Sequence, residues 1–182
     1  MFIDHKLRKE NICEYLLYMW QIEDLIRAFG LNIDSINERI ISNYPVKDEA
    51  ERKSLYEWYE SLIEMIRLEN IQEKGHLQLN KNIIIDLNDF HELLIKSGKA
   101  PAYNAKFFHV LPFISQLRTK GEAGLSDLEL CFNFMYGIMA LRLKKAEISP
   151  ETLQTQTEIS KFLVLLARNY QLNKNGELDL ES

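Results

Sequence analysis

Residues 125–145 read LSDLELCFNFMYGIMALRLKK. The stretch opens on a capping box, with Ser126 at the N-cap and Glu129 three residues on. It then runs apolar on nearly every side, through Leu128, Leu130, Cys131, Phe132, Met135 and Ile138. At about 100° per residue one narrow stripe differs: Glu129, Asn133, Gly137, Ala140 and Lys144. A helix apolar almost all round is buried in a core or in a membrane. Glu129, Asn133 and Arg142 interrupt a run already shorter than the roughly 20 residues needed to span a bilayer. The stretch is therefore expected to be the central helix, sixth in order, of an all-α soluble bundle.

The rest of the chain is punctuated to match. Gly30, Gly75, Gly98, Gly121, Gly124 and Gly176 fall between periodic segments, and only Gly137 falls inside one. Seven helices are expected. The first runs from Lys6 to Phe29, with Ile12, Tyr15, Met19, Ile22 and Ile26 on one face and Cys13, Leu17 and Trp20 on another. A short second helix starts at Asn32 or Asp34 and ends near Asn43, before Pro45. The third, residues 47–74, turns Leu55, Tyr59, Leu62 and Ile66 inward and is stopped by Gly75. Residues 76–80 are read as a loop, and the fourth helix covers 81–97. The fifth covers 101–119, and Pro112 should kink or split it. The seventh opens on Ser149 and Pro150 and runs to Gln171.

At 182 residues, one domain is expected over 1–172, followed by a short polar, frayed tail over 173–182. The net charge of −5 exerts no general pull on nucleic acid or anionic lipid, so neither is an expected partner. Cys13 and Cys131 lie among apolar residues with no ligand spacing around them. They read as reduced, slow-reacting core thiols, and localisation as cytoplasmic.

The string LRKENICEYLLYMWQIEDLIRAF, residues 7–29, resembles the N-terminus of a bacterial family of about this length known as a domain of unknown function. FFHVLPFISQLR, residues 107–118, and the central helix are similar too, so the likeness covers most of the chain. It implies a bacterial source and an all-helical fold. It carries over no activity, cofactor or functional residue.

Nucleophile elbows, P-loops, dinucleotide fingerprints and H-E-x-x-H are absent from the sequence. His5, His76, His91 and His109 are scattered, with no two at i, i+3 or i+4, and His91 and His109 are read as surface or hydrogen-bonded residues. The sharpest chemical pattern is carboxylate: Glu57-x-x-Glu60 followed by Asp86-x-x-Asp89. Paired acidic motifs on successive helices resemble the magnesium site of all-α nucleoside-triphosphate pyrophosphohydrolases, whose oxygen ligands suit a hard cation. This chain departs from that pattern with two Asp in the second motif. Glu57, Glu60 and Glu64 also project opposite Leu55, Tyr59, Leu62 and Ile66, as a solvated acidic face would. No metal site is favoured over that face, and no cofactor is expected.

Glu14 and Asn133 are candidate buried polar residues. A small-ligand pocket lined by Trp20, His109, Asn133 and Tyr136 is a further candidate. Gly137 and Ala140 form a notch expected to pack against another helix of this chain or of a second copy. With Tyr56, Trp58 and Tyr59 on the third helix, it suggests a homodimer. Function is not assigned by any motif; a structural or protein-interaction role leads over catalysis.

Overall fold

Helix boundaries in this chain follow from nameable local chemistry. The computed structural model describes residues 2–121 and 124–180. In chain order they form α1 (Phe2–Glu10), α2 (Ile12–Ala28), α3 (Ile33–Arg39), a 3₁₀ turn (Ile41–Asn43), α4 (Glu49–Leu68), α5 (Gln78–Ser97), α6 (Pro101–Lys120), α7 (Asp127–Leu143) and α8 (Pro150–Lys174). No strand occurs among the described residues, and the fold is all-α. Asn32, Asp48, Ser126 and Ser149 cap α3, α4, α7 and α8 by accepting from backbone N–H groups three residues on. The capping box at Ser126 and Glu129 is complete.

Four helices stop in the same way. Gly30, Asn70, Lys145 and Gly176 take the left-handed conformation after α2, α4, α7 and α8. The next N–H bonds back five residues: Leu31 to Ile26, Ile71 to Ile66, Ala146 to Leu141 and Glu177 to Leu172. Asn70 therefore ends α4 well before Gly75, where the spacing predicts the end. Arg27 then holds the connector that follows, donating to the carbonyls of Ile71 and Gly75.

Other boundaries differ from expectation for physical reasons. The first expected helix is two, broken at Asn11. Asn is a poor helix-interior residue, and Arg8 and Lys9 favour a C-terminus just before it. α5 begins at Gln78 because two distant carboxylates cap it. Glu23 accepts from the Leu77 N–H at 2.9 Å and Glu69 from the Gln78 N–H at 2.7 Å. Pro112 does not split α6. The carbonyl it leaves unbonded is that of Phe108, on the exposed side of the helix where water can serve it. The tail is not frayed through residue 180: Asn173 donates to the Leu178 carbonyl, Lys99 to that of Asp179, and Leu180 is buried. Residues 181–182 and the side chain of His5 lie outside the described residues.

The chain divides into two compact units: Met1–Glu10 with Glu14–Ile83, and Asn11–Cys13 with Ile84–Ser182. In the first, α3, the 3₁₀ turn and α4 pack together, with Ile36, Ile41 and Ile66 fully buried. In the second, α6, α7 and α8 pack on one another around Val110, Leu128, Cys131, Phe132, Ile159 and Leu166. Both cysteines are buried and neither is in a disulfide, and burial pushes the Cys131 thiol upward, away from the reactive thiolate.

α7 is not enclosed on all sides. Its buried residues are Leu128, Leu130, Cys131, Phe132 and Ile138, whereas Asn133, Gly137, Leu141 and Lys144 are exposed. A Cβ at Gly137 would meet nothing within 4 Å, so the notch has no neighbour among the described residues. The more enclosed helix is α2, where Leu16, Leu17, Met19, Trp20, Ile22 and Glu23 are all buried.

Candidate functional site

The second unit presents a helix face with unusual chemistry. Rings from three helices fix α6. Tyr103 and Phe107 of α6 lie edge-on to His91 of α5, with centroids at 5.7 and 4.6 Å. Both also contact Phe162 of α8, at 5.4 and 5.7 Å. The Tyr103 hydroxyl lies 2.5 Å from His91 Nδ1. Burial lowers the His91 pKa and raises that of Tyr103. The imidazole is thus neutral and its Nδ1 accepts the phenol proton.

With Phe107 locked inward, Phe108 points out and is 60% exposed. Around it the exposed positions are Ala102, Ala105, His109, Pro112, Ser115 and Gln116, and no exposed residue of α6 before Arg118 is Asp, Glu, Lys or Arg. The lysine in this span, Lys106, is drawn against α8. Glu158 accepts from its ammonium at 2.5 Å, and also from Lys161 at 3.1 Å and His109 Nε2 at 2.9 Å. Hydrogen bonds from Lys106 and then Lys161 hold the Glu158 carboxyl down at about 2. Lys106 stands two residues before Phe108, on a different side of the helix, and Glu158 holds its ammonium at the edge of the strip. The result is a neutral, partly apolar strip about one helix long.

The first unit contains a different cluster. Glu23 of α2 is 1% exposed, and its carboxylate accepts from the Leu77 N–H at 2.9 Å, Asn80 Nδ2 at 2.6 Å and His76 Nδ1 at 2.6 Å. The His76 ring stacks on Trp20, with centroids 4.1 Å apart and planes 14° apart. Opposite the Glu23 carboxylate, His76 Nδ1 is the donor, and in that neutral tautomer the lone pair lies on Nε2. Nε2 has no hydrogen-bond partner among the described residues.

The family model described as Domain of unknown function (DUF4924) matches residues 1–177. The chain belongs to this family. The match takes in α1 through α8 and both clusters. No curated protein and no solved structure matches the chain.

The residues singled out from the sequence are distributed as follows. Glu57 and Glu60 stand exposed on α4 in the first unit, with Lys53 3.7 Å from Glu57. Asp86 and Asp89 stand exposed on α5 in the second unit. Glu60 also borders a cleft of about 330 Å³ lined by the 30–34 turn, Ile63, Glu64 and Arg67. No group of three or more His, Cys, Asp or Glu among the described residues is placed to hold a metal. Trp20 is buried in the first unit; His109 and Asn133 are exposed and Tyr136 half-buried in the second. Glu14 and Asn133, expected as buried polar residues, are both exposed. The buried polar residues are instead Glu23, Asn80, His91 and Thr155.

Glu23 and Phe108 were not indicated by any motif. Glu23 does have one sequence signal: its helical neighbours Leu16, Met19, Trp20 and Ile26, at i−7, i−4, i−3 and i+3, are all apolar. Phe108 has one as well: the stripe Tyr103, Phe107, Val110 and Ile114, at spacings of four, three and four, includes Phe107 and leaves Phe108 outside it.

Proposed function

We propose that this is a cytoplasmic helical protein that works by association, and that its partner on the outer face of α6 is a second copy of the chain. The observation that carries the reading is the uncharged exposed face of α6 with Phe108 at its centre. Interface cores are depleted of charge and enriched in aromatic residues. A face without charges can meet its own copy without like-charge repulsion, which a two-fold interface requires. The face is also self-complementary in an antiparallel pairing. Phe108 would meet Pro112 of the other copy, and Ala105 would meet Ser115, so the large ring falls opposite smaller residues. One face of a helix this long offers roughly 300 Å² per copy, well under the roughly 800 Å² of a standard interface. Association is therefore expected to be weak and concentration-dependent. A cytoplasmic setting is supported by two buried, unlinked thiols and by the absence, among the described residues, of a helix long and apolar enough to cross a membrane.

The test is mass in solution by light scattering over a concentration series, for the parent chain and for Phe108→Glu. The parent should shift toward twice its mass as concentration rises, and Phe108→Glu should remain monomeric. Its folding stability should change by no more than about 0.5 kcal/mol, because the residue is exposed. A parent chain monomeric throughout, or a dimer that Phe108→Glu leaves intact, would overturn the reading.

A further inference from the structure

The cluster at His76 is independent of the α6 face and is built for a different purpose. Its imidazole is held on two sides: Nδ1 donates to the buried Glu23 carboxylate at 2.6 Å, and one ring face lies on Trp20. The side chain is nevertheless 32% exposed, and Nε2 is unpartnered among the described residues. An imidazole oriented in this way by a carboxylate is the arrangement that activates Nε2 as a base or nucleophile. No Lys or Arg lies within 4 Å of Glu23 among the described residues; its other donors are a backbone N–H and a carboxamide. Its negative charge is thus directed at the His76 ring. His109 offers an internal contrast. It also meets a carboxylate, Glu158, but that carboxylate is shared with two ammonium groups, Lys106 and Lys161.

We propose that His76 is an acyl-accepting imidazole, with Glu23 as its positioning residue and small uncharged esters and anhydrides as its substrate class. Uncharged substrates are preferred because Glu23 lies at the ring and Glu69 caps the neighbouring Gln78 N–H, so an anion would be repelled. In the first step the Nε2 lone pair bonds to the carbonyl carbon and the carbon–oxygen bond to the leaving group breaks. The electron pair leaves on that oxygen, which takes a proton from water. The acyl-imidazolium retains its Nδ1 proton, facing Glu23. Water then attacks the acyl carbon, the carbon–nitrogen bond breaks, and the carboxylic acid and neutral imidazole are released, with the extra proton passing to solvent.

The discriminating experiment treats the full chain with diethyl pyrocarbonate and measures the modification rate of each histidine by peptide mass. Exposure alone would favour His109, whose side chain is 59% exposed against 32% for His76. The reverse order is expected, with His76 faster by about tenfold, less than the roughly hundredfold or more that a positioned proton-transfer group contributes in catalysis. Glu23→Gln should lower the His76 rate by about the same factor and leave the His109 rate unchanged, which also reports an intact second unit. Hydrolysis of p-nitrophenyl acetate should fall to the background rate in His76→Ala. Should Glu23→Gln, which removes a buried anchor, fail to fold, the rate order in the parent chain decides by itself. Rates that follow exposure, ester hydrolysis unaffected by His76→Ala, or a folded Glu23→Gln with an unaltered His76 rate would each overturn the proposal.

Discussion

The hydrogen bond between His91 and Tyr103 allows a quantitative test of how α5 is joined to α6. His91 is 9% exposed and Tyr103 1%, so neither group has water to replace a lost partner. Tyr103→Phe removes the hydroxyl and leaves His91 Nδ1 without a donor, a cost of about 1–3 kcal/mol. His91→Phe leaves the phenol unpaired at similar cost, partly offset by an extra apolar ring beside Phe107 and Phe162. The double variant has neither orphan and should cost about 1 kcal/mol or less. The coupling energy in the cycle should therefore be on the order of 1–2 kcal/mol. Urea unfolding followed by circular dichroism, with m-values checked for constancy, measures it. The same pair sets a pH dependence. Burial lowers the His91 pKa below its ordinary 6.5, so below that pH the unfolded chain binds the extra proton. The stability from a neutral His91 is complete above pH 6.5 and is lost as pH falls, and His91→Phe should flatten that part of the profile. Additive single costs, or an unflattened profile, would show that the hydrogen bond does not join the helices as described.

Gly137→Ala should stabilise the chain by about 0.5–1 kcal/mol in thermal or urea unfolding, because the added methyl meets open space and the helix loses a flexible residue. A loss would indicate that the stripe is covered after all. Lys145→Gly should gain about 0.5–1 kcal/mol by relieving a left-handed non-glycine residue at φ 53°. For Glu158, whose carboxyl is lowered to about 2 from 4.5, the stability it contributes is present above pH 4.5 and is lost as pH falls toward 2. Glu158→Gln should flatten unfolding free energies measured across that window.

Helix starts were readable from sequence wherever the cap is local. Ser126 with Glu129, Ser149 with Pro150, and Asn32 act within three residues, and a linear reading can see three residues. The start of α5 was misplaced because its caps, Glu23 and Glu69, are 54 and 9 residues from the N–H groups they accept. Helix ends were readable at glycines and misread at Asn70, where a non-glycine residue takes the same conformation. α7 reads as apolar nearly all round, yet Asn133, Gly137, Leu141 and Lys144 are exposed on it. An apolar helix is free to leave small or apolar residues in solvent, and composition cannot say which side does so.

The α6 face shows why exposed function resists a sequence reading even when the fold does not. A periodicity argument assigns one side of a helix to the core because its apolar residues cluster there. In α6 that side carries Tyr103, Phe107, Val110 and Ile114, and Phe108 stands apart from it, where periodicity says that a ring is exposed but not what covers it. Nor can the charge of Lys106 be discounted from sequence, since the carboxylate that removes it from the face lies 52 residues away on α8. The neutrality of the face is thus a tertiary property, produced by one ring packed inward and one ion pair drawn sideways. This links two perturbations that otherwise look unrelated. Glu158→Gln should free the Lys106 ammonium at the rim of the face on both copies of the proposed dimer, adding uncompensated like charge around the interface. It should therefore weaken association without touching Phe108, and the weakening should be relieved by raised salt, because exposed charges separated by more than about 8–10 Å are largely screened at physiological ionic strength. The loss caused by Phe108→Glu, which also removes the packed ring, should be only partly recovered by salt. Equal salt sensitivity of the two variants in the light-scattering series would mean that the ion pair and the ring do not act on a common face.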